Sequence, residues 1–202
     1  MSICYAVCPF YIIIFFLNIL RYYVDYYNRV HSYNASGVEE FKESPKLPVT
    51  VLLDDIRSMH NVGSVFRTSD AFSMEKIYLC GITPRPPHRE IQKTALGATE
   101  SVDWEYAPSI SEIIDKLKKE NYIIVGIEQV TNSVMLGEYP ISHQKYALIF
   151  GNEVEGIREE IINKIDVFVE IPQSGTKHSL NISVCAGIVL WEWHKALNCN
   201  FK

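Results

Sequence analysis

Three short stretches of this chain gather residue types that can hold a polar ligand by hydrogen bonds and handle a proton. The first is His60-Asn61-Val62-Gly63-Ser64-Val65-Phe66-Arg67-Thr68, where an amide and a guanidinium stand nearly two helical turns apart. The second, Gly151-Asn152-Glu153-Val154-Glu155-Gly156, is a glycine-bounded loop with two carboxylates. The third runs from Ile171 to Asn181 as IPQSGTKHSLN, a polar loop that ends in good capping residues and leads into an apolar helix. Taken singly, each has a plain structural explanation. Asn61 suits a helix cap, Arg67 a solvated face or a pair with Asp70, Glu153 a turn acid, and Ser179 the N-cap of the last helix. The second loop lacks the G-x-x-x-x-G-K-[ST] pattern of a phosphate-binding loop, and no G-x-G-x-x-G dinucleotide signature occurs in the chain.

The elements that must position these stretches follow from periodicity. VTVLLD at 49–54, IYLC at 77–80, VDWEYA at 102–107, YIIVGI at 122–127, YALIF at 146–150 and VFVEI at 167–171 read as strands. Between them the spacing predicts helices over 61–72, near 90–96 and over 109–120, a helical turn at 157–164, and a long helix from about Leu180 to Leu197. On the first helix Val62, Val65, Phe66 and Ser69 share an apolar-to-small face. Strands alternating with helices imply an α/β domain with a mostly parallel sheet covered on both faces. In such sheets ligands bind at the carboxyl ends of strands, and all three polar stretches follow a strand, so they are expected to form one mouth.

The domain is expected to occupy 49–202. Before it, residues 35–48 read as a polar linker with a short helical turn, and residues 1–34 as an apolar, aromatic segment holding 24 residues of the AVILMFWYC set and seven of the twelve tyrosines. Residues 3–20 carry no charge, which is borderline for a bilayer-spanning helix. If that stretch spans a membrane, Arg21 and Arg29 place the rest of the chain in the cytoplasm. A leader, a start-site artefact or an extra packed element are the other readings, and a cytoplasmic location is expected in each case. Five scattered cysteines with no C-x-x-C pair suggest neither a disulfide framework nor a zinc site, and no metal is expected.

Formal charge is −5, and −6 after residue 34, which excludes capture of a polyanion by bulk charge. A local patch is the alternative: Arg85, His88, Arg89 and Lys93 fall within nine positions. That proline-rich loop reads either as a phosphate-tracking edge or as a rigid turn with solvated charges.

In this order, the three stretches resemble the motifs of the SPOUT superfamily, specifically the TrmH (SpoU) branch of RNA ribose 2′-O-methyltransferases. The first motif, N-x-G-x-x-x-R-[ST], stands as Asn61 to Thr68; the second as LIFGNEVEGI, 148–157; the third as IPQSGTKHSLNISVCAG, 171–187. The resemblance covers roughly 49–197, with Gln173 where the family often has methionine. It implies a C-terminal trefoil knot (the SPOUT fold), a homodimer, S-adenosylmethionine as cofactor and transfer or ribosomal RNA as substrate. Carried over by position, Glu128, Gly151, Ile171 and Leu180 would contact the cofactor. Arg67, Asn61, Glu153, Ser179 and Asn181 would form the catalytic set, with Arg67, Arg85, Arg89 and Lys177 meeting RNA. Because a guanidinium stays protonated below pH of about 12, phosphate clamping suits Arg67 better than proton abstraction. The competing expectation is a non-catalytic RNA-binding or assembly factor on the same fold. The last helix, with Val184, Ile188, Val189, Leu190, Trp191 and Trp193, is apolar on more than one face, so one face should meet the sheet and another a dimer partner.

Overall fold

Strand β1 (Leu47–Asp54) is sealed from solvent over its last six residues, Val49 to Asp54. A strand buried on both sides in this way belongs to a parallel sheet with helices on each face. The computed structural model describes residues 37–176 and 179–198. The chain divides into two compact units, 1–41 and 42–202. Helix α1 (Val38–Glu43) buries none of its residues. After β1 come α2 (Met59–Ala71), β2 (Met74–Cys80), α3 (Arg89–Ala95), α4 (Ala98–Ser101), β3 (Trp104–Ala107), α5 (Ile110–Lys119) and β4 (Tyr122–Ile127). The chain continues with β5 (Val134–Met135), β6 (Lys145–Phe150), α6 (Glu159–Ile162), β7 (Val167–Glu170) and α7 (Ile182–Leu197).

The strands form one seven-stranded sheet in the order β3-β2-β1-β6-β4-β7-β5, and every pairing is parallel. β1 lies between β2 and β6, with Leu53 opposite Leu79 on one side and Phe150 on the other. One face packs Leu52, Tyr78, Ile124 and Ile149 against Ile110, Ile113, Ile114 and Leu117 of α5 and Ile161 of α6. The opposite face carries α2, which packs on β2, and α7, which packs on β1. The alternation of Val51 and Leu53 with Leu52 divides β1 between these two cores. From β1 the chain winds outward to β2 and β3. It then crosses to β4 and returns to fill the β6 position, so the strand ends of β1, β6, β4 and β7 lie side by side. That reversal of direction is where parallel sheets open a crevice.

Several element boundaries differ from the sequence reading. Helix α2 starts at Met59, capped by the Ser58 hydroxyl, which accepts the Asn61 backbone N–H at 3.3 Å. Asn61 is therefore inside the first turn and is not the cap. Likewise Asn181, and not Ser179, caps α7, because its Oδ1 accepts the Ser183 N–H at 2.9 Å. Residues 98–101 close a helical turn behind Gly97, which delays β3 to Trp104. The two-residue β5 was not foreseen. Among the described residues no helix is long and apolar enough to cross a membrane, and the 3–20 stretch lies outside them.

Candidate active site

The loops after β1, β6 and β7 are joined by a line of directed hydrogen bonds. Glu153 stands over the N-terminus of α2. It accepts the backbone N–H of Arg57 on Oε2 at 3.0 Å, and on Oε1 the N–H of Ser58 at 3.3 Å and the Asn61 amide at 3.1 Å. A carboxylate suits that place, since unpaired N–H groups and the helix dipole both favour negative charge there. Burial opposes its ionisation, but the donors from Arg57, Asn61 and Ser58 outweigh burial and hold the carboxyl below its ordinary value.

The ionised group then fixes what lies beyond it. Asn61 must present its NH2 to Glu153, leaving Oδ1 to accept Asn181 Nδ2 at 3.1 Å. Asn181 in turn offers its own Oδ1 to the backbone N–H and hydroxyl of Ser183, at 2.9 and 2.6 Å. Three loops far apart in sequence are thus held in one register at the start of two helices.

Beside this line lies a cavity of about 440 Å³, within the usual range for small-molecule sites. Its wall comes from the ends of β4, β6 and β7 and the first turn of α7. Glu128, Gly151, Glu153, Ile171, Ser179, Leu180 and Asn181 all line it, together with Gln173 and Cys185. Glu128 is tied to its own walls: its carboxylate accepts Gln129 N–H at 3.0 Å and Ile157 N–H at 3.3 Å. Gly151 is required where it stands, because a Cβ there would collide with the main chain of Gly156 and Ile157. Burial, with the Glu128 carboxylate as a second influence, pushes the Cys185 thiol up to about 11, which leaves it an unreactive wall residue.

The model of the SpoU rRNA Methylase family matches residues 48–191. The chain belongs to this family. It is 31% identical over 169 residues to the 23S rRNA (guanosine-2′-O-)-methyltransferase RlmB of Neisseria meningitidis, covering 82% of the chain and 63% of that protein. Among solved structures it superposes on the TrmH/SpoU tRNA modifying enzyme of A. aeolicus with TM-score 0.71 at 25% identity, covering 79% of this chain and 80% of that one. The AdoMet-bound rRNA methyltransferase of Sinorhizobium meliloti gives TM-score 0.69 at 25% identity, covering 79% and 60%. The chain spans less than two thirds of the length of the Neisseria and Sinorhizobium proteins.

Not every residue expected at the SpoU site is brought to the cavity. Arg67 is exposed on α2 and does not line the cavity; it has no hydrogen bond or ion pair among the described residues. The expected alternative pair with Asp70 does not form, since Asp70 accepts the Ser101 hydroxyl instead. Arg85 and Arg89 are exposed on and beside the loop after β2, away from the cavity wall. Lys177 lies outside the described residues.

Two supporting features were missed. Asn152 donates to the Asp55 carbonyl at 2.7 Å and accepts the N–H groups of Val154 and Glu155, at 2.8 and 3.1 Å, so it builds the loop that carries Glu153. Arg158 grips Asp54 through two bonds, at 3.0 and 2.8 Å, and Asp54 is only 1% exposed. Burial pushes the Asp54 carboxyl up against the pull of Arg158. An Asn opening a glycine-closed loop is a recognisable turn-builder, and two aspartates at the end of a buried strand signal a cationic partner.

Proposed function

We propose that this chain is an S-adenosylmethionine-dependent methyltransferase acting on a ribose 2′-hydroxyl of transfer or ribosomal RNA. The observation that carries the proposal is the Glu153–Asn61–Asn181 line at the lip of a cavity whose walls are the family's motif loops. The cavity chemistry fits the cofactor: apolar Ile127, Phe150, Ile171 and Leu180 suit a flat base, while Glu128 and Glu170 suit ribose hydroxyls and a cationic sulfur. The cofactor supplies a methyl carbon already activated by sulfonium charge. What the protein must add is alignment of the incoming oxygen and stabilisation of the charge developing on it as the proton leaves.

In this reading Asn61 and Asn181, oriented by Glu153, hold the ribose, with Ser179 beside them. Glu153 is a poor base because its donors keep it ionised, and its task is orientation. Arg67 engages the RNA phosphate from an exposed position on α2 that does not line its own cavity, which suits a site completed by a second copy of the chain. An apolar strip is available for that contact: Val184, Ile188 and Trp191 are 51%, 39% and 47% exposed on the side of α7 opposite its buried face. The homodimer and the trefoil knot both belong to this proposal, as do RNA contacts by Arg85, Arg89 and Lys177.

The test is transfer of labelled methyl from S-adenosylmethionine to RNA from cells lacking the protein. Wild type should label one RNA fraction, and Arg67→Ala should abolish labelling while cofactor affinity, measured by calorimetry, stays within a few-fold. Binding of RNA with no transfer would instead favour a non-catalytic RNA-binding factor.

A further inference from the structure

The loop after β2 is built more rigidly than a solvated turn requires. Thr83, 3% exposed, donates its hydroxyl to the Leu53 carbonyl at 3.0 Å and accepts the Ile56 N–H at 3.0 Å. One residue earlier, the Ile82 N–H is held by Asp55 Oδ1 at 2.9 Å. These bonds fasten the loop to the same turn that Asn152 grips from the other side. Pro84, Pro86 and Pro87 then restrict the chain up to His88, whose ring caps α3.

Arg85 projects from this loop, and its guanidinium lies over the Tyr106 ring at 4.2 Å from the centroid. Tyr106 and Trp104 share one side of β3, and Trp104 meets Phe66 of α2 edge-on at 6.5 Å, so the pair lies on the face of the sheet that carries α2. Arg85 is exposed and has no carboxylate partner or hydrogen bond among the described residues, leaving all its N–H donors unspent. A guanidinium backed by an aromatic ring on one side and open on the other offers a platform, and unpaired RNA bases stack on such planes.

Resting on the methyltransferase reading above, we infer that Arg85 and Tyr106 form a second RNA subsite, on which an unpaired base flanking the modified nucleotide stacks against the outer face of the guanidinium. From β6, whose end bears Gly151, to β3 is three strand spacings, about 14 Å. A nucleotide there is close to the reacting ribose in the RNA yet outside the cavity. Tyr106 is a positioning residue for Arg85, and the planar shape of Arg85, more than its charge, makes the contact.

The experiment measures affinity and initial rates with the full chain, using transfer and ribosomal RNA fractions from cells lacking the protein as probes. Arg85→Ala should weaken RNA binding about tenfold and raise KM for RNA in step, with cofactor affinity unchanged. Arg85→Lys, which keeps the charge and loses the plane, should be as weak as Arg85→Ala. Tyr106→Phe should bind like wild type, whereas Tyr106→Leu should lose affinity only while Arg85 is present. Because Tyr106 is half-buried, the exposed Arg85 variants carry the decision. Wild-type affinity in Arg85→Ala, or full rescue by Arg85→Lys, overturns the stacking subsite. Absence of methyl transfer by wild type to either fraction would overturn the enzyme reading instead, so the two failures are distinguishable.

Discussion

In the proposed mechanism Glu153 acts by holding Asn61 in place and not on the reacting atoms. All three of its partners are donors, so Glu153→Gln sets an NH2 against an N–H or another NH2 and frees Asn61 to turn. Displacing a positioning group by a fraction of its length costs about a hundredfold in rate, and that loss is expected in Glu153→Gln with little change in cofactor affinity. The pH dependence has a definite sign. The folded-state pKa of Glu153 lies below its ordinary 4.5, so its contribution is complete above that pH and is lost as pH falls through the lowered value. Acid unfolding curves of wild type and Glu153→Gln should therefore converge in strong acid. Arg158→Ala gives the opposite sign. The Asp54 carboxyl already lies above its ordinary value with Arg158 in place; with the cation gone, burial and the neighbouring Asp55 and Glu160 carboxylates push it further up, so the penalty grows as pH rises from the unfolded value through the folded one. The expected loss is about 3 kcal/mol at neutral pH, the low end for a broken buried pair because Arg158 is itself 31% exposed, and it should shrink near pH 4 in denaturant titrations. Residue types and spacing made Asn61, Glu153 and Asn181 legible in the sequence. Their order of donation was not, because it depends on which carbonyl faces which amide. Asn152 and the Asp54–Arg158 pair stayed hidden because their partners lie about a hundred positions away.

At the scale of elements, Gly63 explains how α2 can lie against α3. A Cβ at this position would run into Thr94 Oγ1 and the Ile91 carbonyl, and the second is main chain and cannot rotate away. Gly63→Ala should cost about 1–3 kcal/mol in thermal or chemical unfolding, the usual range for overpacking. It should also lower the transfer rate, because α2 carries both Asn61 and Arg67. The strands with long apolar runs were legible: β4 occupies 122–127 as its composition demands, and β6 gains one residue. Helix starts were not, since Ser58 and Asn181 compete with neighbouring residues that cap equally well, and only the hydrogen bonds decide. β5 is two residues long and owes its existence to pairing with β7; no periodicity can announce so short an element.

For the whole molecule, an alternating strand–helix pattern was enough to state a parallel sheet covered on both faces. Strand order is different in kind, because β6 inserts between β1 and β4 after β5 has been made, and nothing local records that. If the exposed strip Val184, Ile188 and Trp191 makes the proposed dimer contact, Ile188→Arg should move the protein to monomer mass in sedimentation equilibrium and suppress transfer by separating Arg67 from the second copy's cavity. Should it remain dimeric and active, α7 is not the interface. RNA labelled by the wild-type protein with S-adenosylmethionine, digested to nucleosides and resolved by mass spectrometry, should carry the added methyl on the ribose at one nucleotide. No such product should form with Arg67→Ala. A methyl group found on a base, or cofactor bound with no methylated nucleoside from any RNA of cells lacking the protein, would show that the protein is not a ribose 2′-O-methyltransferase.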